Sequence, residues 1–256
     1  MEFTPPPGTD GSHLIEFVKD RVIICGGIQC HQLNQHCSGQ ISNMTQERVG
    51  ATSVVMGWEM YAISGSETDT LEKYNITGNQ WIETPVRMEH GARQSSCSVR
   101  ISLDEILILG GSPTWKEPHI MNIITGEWTQ YAESTHFLGG GCELINFNGG
   151  KGVIVTGGYI AENISQFFNL EGKTWSQLPD INIGGNGQMK EVNNKLFMVT
   201  SNDKVETFEG GKWIVLNIPL PISGGNTRLT KVPVSFAEWL MTLSDVDWAR
   251  QCSADG

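Results

Sequence analysis

The stretch that decides the fold runs from Gly152 to Trp175 and reads GVIVTGGYIAENISQFFNLEGKTW. It opens with a β-branched run that ends at a glycine pair, and it continues through a polar loop and an aromatic pair to a turn and a closing tryptophan. The preceding segment follows the same plan, since Gly157 lies 47 residues after Gly110 and Trp175 lies 47 residues after Trp128. A fixed period of this length indicates a repeat protein.

Glycines that open a strand after a polar turn mark six units, which start near residues 11, 50, 91, 139, 184 and 224. In the middle units, short apolar strands alternate with glycine-containing turns, so four antiparallel strands account for the period and leave no room for a helix. The last unit supplies at most two or three strands. Because a ring of sheets must close to remove its exposed edges, we expect the terminal segments to complete the last unit. Residues 1–10 are then a tail that helps closure, and residues 11–256 form a single domain.

Composition excludes several classes of protein. The 256 residues include 30 glycines and 8 tryptophans, with only 18% charged residues and a net charge of −11. The negative charge argues against a nucleic-acid or anionic-membrane partner. No apolar run approaches the roughly eighteen residues that would span a bilayer, so membrane insertion is not expected. The first residues lack both the basic and the apolar region of a signal peptide.

The cysteines and glycosylation motifs leave the compartment open. Cys97 and Cys142 hold similar places in consecutive repeats and are interpreted as small buried hydrophobic residues. Cys25, Cys30 and Cys37 are close enough for a local disulfide in an oxidising compartment. The glycosylation motif Asn-x-Ser/Thr occurs three times, beginning at Asn43, Asn75 and Asn163. We expect a cytoplasmic protein if Met1 is the true start, and an extracellular one if the chain is a fragment lacking its signal peptide.

The glycine pair after an apolar strand, the aromatic residue about ten positions later and the closing tryptophan resemble the kelch repeat. The resemblance covers roughly residues 11–245, although Ser66 breaks one glycine pair and Thr200-Ser201 replaces another. It implies an all-β, six-bladed β-propeller of four-stranded antiparallel blades, with the last blade short or closed by terminal segments. The residues expected to have structural roles in the blades are Gly26, Gly27, Gly65, Trp81, Gly110, Gly111, Trp128, Gly157, Gly158, Trp175 and Trp213.

Catalytic signatures are absent from the sequence. It contains no GxSxG, HExxH, nucleotide-binding glycine loop or EF-hand loop, and no cofactor or metal is predicted. One loop brings His31 and His36 together with Cys30 and Cys37, but a polar loop with a disulfide or free thiols is the favoured interpretation. Two enzyme classes with kelch-like propellers remain as alternatives. No tyrosine set typical of the radical-copper oxidases can be picked out, whereas a sugar epimerase would leave no sequence motif.

The favoured function is a non-catalytic platform for protein–protein interaction, in which loops on one face of the propeller bind the partner. Linkers into the first strand of each blade and loops between second and third strands emerge on the same face. We place Arg48, Arg93 and His136 there from the linkers, and Trp115 and Tyr159 from the loops. An exposed aromatic residue beside arginine can anchor an acidic partner. Trp115 could instead pack over its own blade edge, and Arg93 could pair with a carboxylate of a neighbouring blade. The propeller is expected to be a monomer.

Overall fold

A computed structural model describes residues 13–34, 38–89, 91–112, 116–134, 136, 140–157, 163–183, 187–193, 195–200 and 204–218. These residues form twenty strands in five four-stranded antiparallel sheets, each sheet built from four consecutive strands. Strands of the first three blades are β1 (His13–Val18), β2 (Arg21–Gly26), β3 (Gln29–Asn34), β4 (Ser38–Gln40), β5 (Thr52–Met56), β6 (Glu59–Ile63), β7 (Thr70–Asn75), β8 (Gln80–Arg87), β9 (Cys97–Arg100), β10 (Glu105–Leu109), β11 (His119–Asn122) and β12 (Trp128–Gln130). Strands of the last two are β13 (Gly141–Phe147), β14 (Gly150–Thr156), β15 (Ser165–Asn169), β16 (Thr174–Gln177), β17 (Gln188–Val192), β18 (Lys195–Val199), β19 (Val205–Glu209) and β20 (Lys212–Leu216).

The architecture is an all-β propeller with five blades, so the prediction of six blades is wrong. The sequence count took an opening glycine as sufficient evidence for a unit, and the segment from residue 224 lacks the rest of the pattern. Its tryptophan at position 239 lies 26 residues after Trp213, far short of the 47-residue spacing of the middle units. That segment and the predicted closure by the chain termini lie outside the described residues. Within the part of the chain that the structure describes, no helix is long or apolar enough to cross a membrane.

Among the residues that the structure describes, four apolar clusters form the core, and each lies between two neighbouring blades. The cluster between blades 1 and 2 joins Leu14 and Ile23 to Met60 and Trp81, and three similar clusters follow between the later blades. A four-stranded sheet is too small to be stable alone, so each blade gains stability by burying its faces against its neighbours.

The closing tryptophans lie at these boundaries and reach the preceding blade. The indole of Trp128 donates to the carbonyl of Arg87, and that of Trp213 donates to the Ser165 hydroxyl. The indole of Trp175 donates to the carbonyl of Ala132 in the linker between blades 3 and 4. These three tryptophans therefore combine apolar packing with one hydrogen bond each, whereas Trp81 packs against blade 1 and its indole nitrogen has no hydrogen-bond partner among the described residues.

Glycines at the ends of the second strands allow the linkers to approach closely. Gly65 has a φ of +143°, and a Cβ atom there would lie 3.1 Å from the Cα atom of Arg48. Gly111 has a φ of +103°, and a Cβ atom there would lie 3.1 Å from the carbonyl oxygen of Gln94. Only glycine adopts such backbone conformations readily. The glycine two residues beyond the second strand therefore makes room for the linker that enters the same blade.

Candidate functional site

Arg48, predicted to be a binding residue, is buried in the linker between blades 1 and 2, with 1% of its surface exposed. Its Nε and Nη2 atoms donate to Glu72 Oε1 at 3.0 and 2.8 Å, and Nη1 donates to the carbonyls of Ser64 and Thr70. Burial lowers the pKa of Arg48, and the Glu72 carboxylate opposes that shift. The guanidinium group therefore holds the linker to blade 2 and is not available to a partner.

Arg93 occupies the corresponding place before blade 3 and is equally buried, at 1% exposure. Its Nη2 atom lies 3.3 Å from Nδ1 of His119, and its backbone N–H donates to the Ser64 hydroxyl. Burial lowers the pKa of Arg93 to about 10, with Glu117 and Glu89 acting in the opposite direction, so the group stays charged at neutral pH. Both predicted arginines therefore lie inside the propeller.

The other three predicted binding residues leave the linker face undefined. His136 is half-buried, and its backbone N–H donates to the Ser134 hydroxyl. Trp115 and Tyr159 lie outside the described residues, as does Gly158 among the predicted structural glycines. Of the five predicted residues, the structure describes Arg48, Arg93 and His136, and the site itself stays a prediction.

Sequence reasoning missed a buried polar residue that recurs in the third strand of blades 2 to 5. Glu72, His119, Gln166 and Glu206 pair with equivalent positions of the second strand, and each is at most 2% exposed. Each binds the linker that enters its own blade: Glu206, for example, accepts from the backbone N–H groups of Asn182 and Ile183. No clear signal marked this position in the sequence, because each third strand carries further polar residues, as in TLEKYN of β7 and VETFE of β19.

Two large apolar side chains project into solvent from the turns between first and second strands. Trp58 is 70% exposed in the two-residue turn that joins β5 to β6, directly after Gly57, whose φ is +63°. A glycine with positive φ at this position suits a tight hairpin, and the turn itself gives no reason for a tryptophan to follow it. The exposed indole is therefore held on a short and well-defined turn.

Leu103 occupies the equivalent turn of blade 3, which lies 45 residues further along the chain, and is 77% exposed. The Ser102 hydroxyl accepts from the backbone N–H groups of Asp104 and Glu105, which orders this turn. Blades 2 and 3 are adjacent, because the Thr52 and Ser98 hydroxyls at the starts of their inner strands are 2.8 Å apart. We call the surface formed by the turns at 56–59 and 100–105 the turn face.

A second group of interest lies along the inner strands, where three blades contribute charged side chains. Glu16 of β1 accepts from the Ser53 hydroxyl at 3.0 Å, and its other carboxylate oxygen lies 3.8 Å from Lys190 Nζ of β17. Burial raises the pKa of Glu16, while Lys190 and Ser53 act to lower it. Burial acts to lower the pKa of Lys190, but Glu16 and Glu143 reverse that effect and leave it raised.

Glu143 of β13 completes this group, which we call the axial cluster (Glu16, Glu143 and Lys190). Burial raises the pKa of Glu143 to about 7, and Glu16 and Glu191 add to the rise while Lys190 opposes it. Lys190 lies 3.8 Å from Glu16 and also acts on the charge of Glu143, and a carboxyl group with a pKa of about 7 can bind or release a proton near neutral pH. Chemically, it could transfer a proton or bind a polar molecule.

A metal site would need several donor side chains close together. Among the residues that the structure describes, no three His, Cys, Asp or Glu side chains come together as a metal site. The hydroxyls of Tyr61 and Tyr74 donate to Glu59 and Asn79, and burial, the largest cause for both, raises the pKa of each to about 12. These buried, neutral phenols have structural contacts within blade 2, and they do not fit the part of metal-binding tyrosines.

The structure shows disulfides that the sequence interpretation placed only in part. Cys25 and Cys30 form one, as the local spacing allowed, and Cys97 and Cys142 form another between the inner strands of blades 3 and 4. The interpretation of Cys97 and Cys142 as small buried hydrophobic residues is therefore wrong in missing this bond, although Cys142 is buried. Equivalent positions in consecutive repeats meet on neighbouring inner strands, and that proximity is what permits the bond. Cys37 lies outside the described residues.

Comparison with known proteins supports the fold and goes no further. No protein-family model matches the sequence, and no curated protein matches it. The fold is similar to the solved structure of YjhT, with 13% identity and a TM-score of 0.65 over 81% of this chain and 84% of that one. It is also similar to a fungal alcohol oxidase of the AA5 family in complex with copper, with 12% identity and a TM-score of 0.62 over 82% of this chain and 54% of that one. At these identities the similarity establishes a β-propeller, and the kelch family is not confirmed.

Proposed function

We propose that this chain is a non-catalytic, kelch-type propeller that binds a protein partner through the turn face. The observation that carries the proposal is the exposure of Trp58 and Leu103, at 70% and 77%, on equivalent turns of adjacent blades. Tryptophan is among the residue types most enriched at binding hot spots, and neither side chain has a packing role in its own blade. A pair of large apolar groups on ordered turns suits a partner that covers both.

The charges around the turn face suggest the chemistry of that partner. Asp104 and Glu105 directly follow Leu103, and the nearby Arg100 donates from its Nε atom to the carbonyl of Ser102 within the same turn. On the adjacent turn, Glu59 is paired with Lys73 at 2.8 Å. An apolar patch with an acidic rim favours a partner with an apolar centre and basic residues around it.

The linker face predicted from the sequence stays a prediction, since Trp115 and Tyr159 belong to the part of the chain that is not described. Arg48 and Arg93 do not support it, because their guanidinium groups are buried in contacts with the blades. The turn face, in contrast, carries Trp58 and Leu103, whose side chains are exposed to solvent.

The test compares binding partners recovered with two matched double variants of the whole chain. Trp58→Ser/Leu103→Ser removes the apolar groups of the turn face. Ile28→Ser/Val49→Ser removes two apolar side chains, 38% and 39% exposed, from the loop between β2 and β3 and from a linker. We expect a partner captured by the wild type to bind the turn-face variant at least about tenfold more weakly. The control variant should bind as the wild type does.

Equal binding by the wild type and Trp58→Ser/Leu103→Ser would reject the turn face as the interface. Loss of binding only with Ile28→Ser/Val49→Ser would place the interface on the linker face, on the opposite side of the propeller. Self-association of the wild type that the turn-face variant abolishes, measured by sedimentation, would identify the partner as a second copy of the chain.

The second candidate is a propeller enzyme acting on a sugar, and the axial cluster is the observation that favours it. A carboxyl group with a pKa of about 7 next to an ammonium group is suited to general acid–base catalysis. Glu143→Gln separates the candidates, because a sugar-converting activity would be lost in this variant while binding at the turn face would be unchanged.

A further inference from the structure

The glycosylation motif at residues 43–45 lies on a part of the surface that can carry a glycan. We propose that Asn43 is an N-linked glycosylation site of this protein. The motif Asn43-Met44-Thr45 has the required threonine and no proline at its middle position. This inference is independent of the proposed turn-face function.

Residues 41–44 lie outside regular secondary structure, in the linker from β4 to β5, and both Asn43 and Thr45 are exposed. The linker is nevertheless well anchored, since Met44 is only 2% exposed and its backbone N–H donates to the carbonyl of Ile28. The side-chain oxygen of Asn43 accepts from Gln40 at 3.3 Å, a contact that leaves the amide nitrogen for the glycan. A glycan at Asn43 would therefore project from a fixed point into solvent.

The other two motifs are less well placed. The side-chain oxygen of Asn75 accepts from the backbone N–H of Gly78, which folds the half-buried side chain over the turn from β7 to β8. At the third motif, Ser165 is fully buried, and its hydroxyl donates to the carbonyl of Pro179 and accepts from the Trp213 indole. Of the three, only the motif at Asn43 has both its asparagine and its hydroxyl residue exposed.

The disulfides provide a second, independent observation. Cys25–Cys30 and Cys97–Cys142 form within the described residues, and Cys25, Cys30 and Cys142 are at most 5% exposed. Disulfides of this structural kind persist in oxidising compartments and are rare where thiols are kept reduced. N-linked glycosylation of Asn-x-Ser/Thr motifs likewise belongs to secreted proteins. The disulfides and the exposed glycosylation motif therefore both indicate an oxidising compartment.

The reaction is transfer of an oligosaccharide from a lipid diphosphate donor. The side-chain nitrogen of Asn43 forms a bond to the anomeric carbon of the first sugar and loses one proton. The bond between that carbon and the diphosphate oxygen breaks, and the lipid diphosphate leaves with the electron pair. No oxidation or reduction takes place.

The test measures the intact mass of the full chain, purified without reductant from its native source, before and after treatment with peptide N-glycosidase. We expect the enzyme to remove one glycan and to leave aspartate at position 43, as peptide mapping would show. Asn43→Gln and Thr45→Ala, produced in the same cells, should each lose that glycan mass. Thr45→Ser preserves the motif and should retain the glycan.

Either of two results would overturn the proposal. One is a wild-type chain whose mass does not change on deglycosylation. The other is a glycan that persists in both Asn43→Gln and Thr45→Ala but disappears in Asn75→Gln or Asn163→Gln. Because none of these changes touches Trp58 or Leu103, failure here is distinguishable from failure of the turn-face proposal.

Discussion

The linker into blade 2 and the linker into blade 4 occupy equivalent places in the propeller, yet they are held by different chemistry. Before blade 2, the Arg48 guanidinium and the Glu72 carboxylate form an ion pair in which both side chains are fully buried. Before blade 4, the Ser134 hydroxyl donates to the neutral amide of Gln166, and no charge is involved in that contact. A linker can therefore be held to its blade by a charged or by a neutral contact. The stability of the charged contact depends far more on the presence of both partners.

The ion pair at blade 2 is also the centre of a larger hydrogen-bond network. Glu72 accepts from the backbone N–H groups of Thr45 and Gln46 and from the Arg48 side chain. One carboxylate therefore holds three residues of the linker. Removing the arginine would leave that carboxylate buried without its countercharge, a far larger cost than the net value of the pair. The first prediction concerns this asymmetry.

Arg48→Leu should have the largest effect on stability, a loss of about 3–5 kcal/mol in the free energy of unfolding. The loss comes from the Glu72 carboxylate, which stays buried while the arginine is gone. Adding Glu72→Gln to this variant should restore much of the loss, because glutamine keeps an oxygen that accepts from the linker N–H groups. Urea denaturation of the single and double variants measures both quantities.

Arg87 offers the matched control, since it pairs with Asp69 and Glu83 on the surface with 56% of its side chain exposed. Arg87→Leu should cost less than about 1 kcal/mol, because exposed ion pairs contribute little. Equal losses for Arg48→Leu and Arg87→Leu would contradict the view that burial makes the difference.

The second prediction concerns the covalent link into blade 4. Cys97–Cys142 joins residues 45 positions apart, whereas Cys25–Cys30 joins residues five apart within a single hairpin. If a disulfide acts mainly by restricting the unfolded chain, the longer loop gives the larger stabilisation. Cys97→Ala/Cys142→Ala should then lose about 4 kcal/mol, and Cys25→Ala/Cys30→Ala about 2 kcal/mol. Thermal and urea unfolding of the two double variants provides the comparison, and similar losses would argue against this account.

Much of the fold could be predicted from the sequence because its signals repeat. The predicted units near residues 11, 50, 91, 139 and 184 correspond to blades whose inner strands begin at residues 13, 52, 97, 141 and 188. An apolar run that ends at glycine restricts the local backbone strongly enough to be recognised without tertiary information. The sixth unit failed because an opening glycine, on its own, carries no such restriction.

The candidate site was much harder to predict, for a reason that Arg48 and Arg93 illustrate. A linker arginine turns inward where the third strand of its blade provides a buried polar partner, which is Glu72 in one blade and His119 in the next. This partner lies more than twenty residues further along the chain, and its proximity to the arginine is visible only once the strands are paired. Trp58 and Leu103 were overlooked for the opposite reason, since a hydrophobic residue next to a strand suggests core packing.

The smallest predicted effect concerns Glu143, whose neighbour Cys142 provides the covalent link to blade 3. Its pKa is about 7 in the folded chain, above the ordinary value of 4.5, mainly because of burial and further because of Glu16 and Glu191. The folded state therefore binds more protons than the unfolded state between these two pH values. This contribution to stability is fully present below pH 4.5 and is lost as the pH rises through 7.

Glu143→Gln removes that pH dependence and, in contrast to Arg48→Leu, should stabilise the protein at high pH. We expect the variant to gain about 1–2 kcal/mol relative to the wild type between pH 5 and pH 8, allowing for the partial exposure of the carboxyl group. Urea denaturation at both pH values measures the gain, and Glu171→Gln, in an exposed turn of the same blade, controls for the loss of one charge. A difference between variant and wild type that does not depend on pH would mean that Glu143 stays ionised beside Lys190 at both pH values. Both carboxylates of the axial cluster would then be charged at neutral pH, and the enzyme candidate would lose its proton-transferring group.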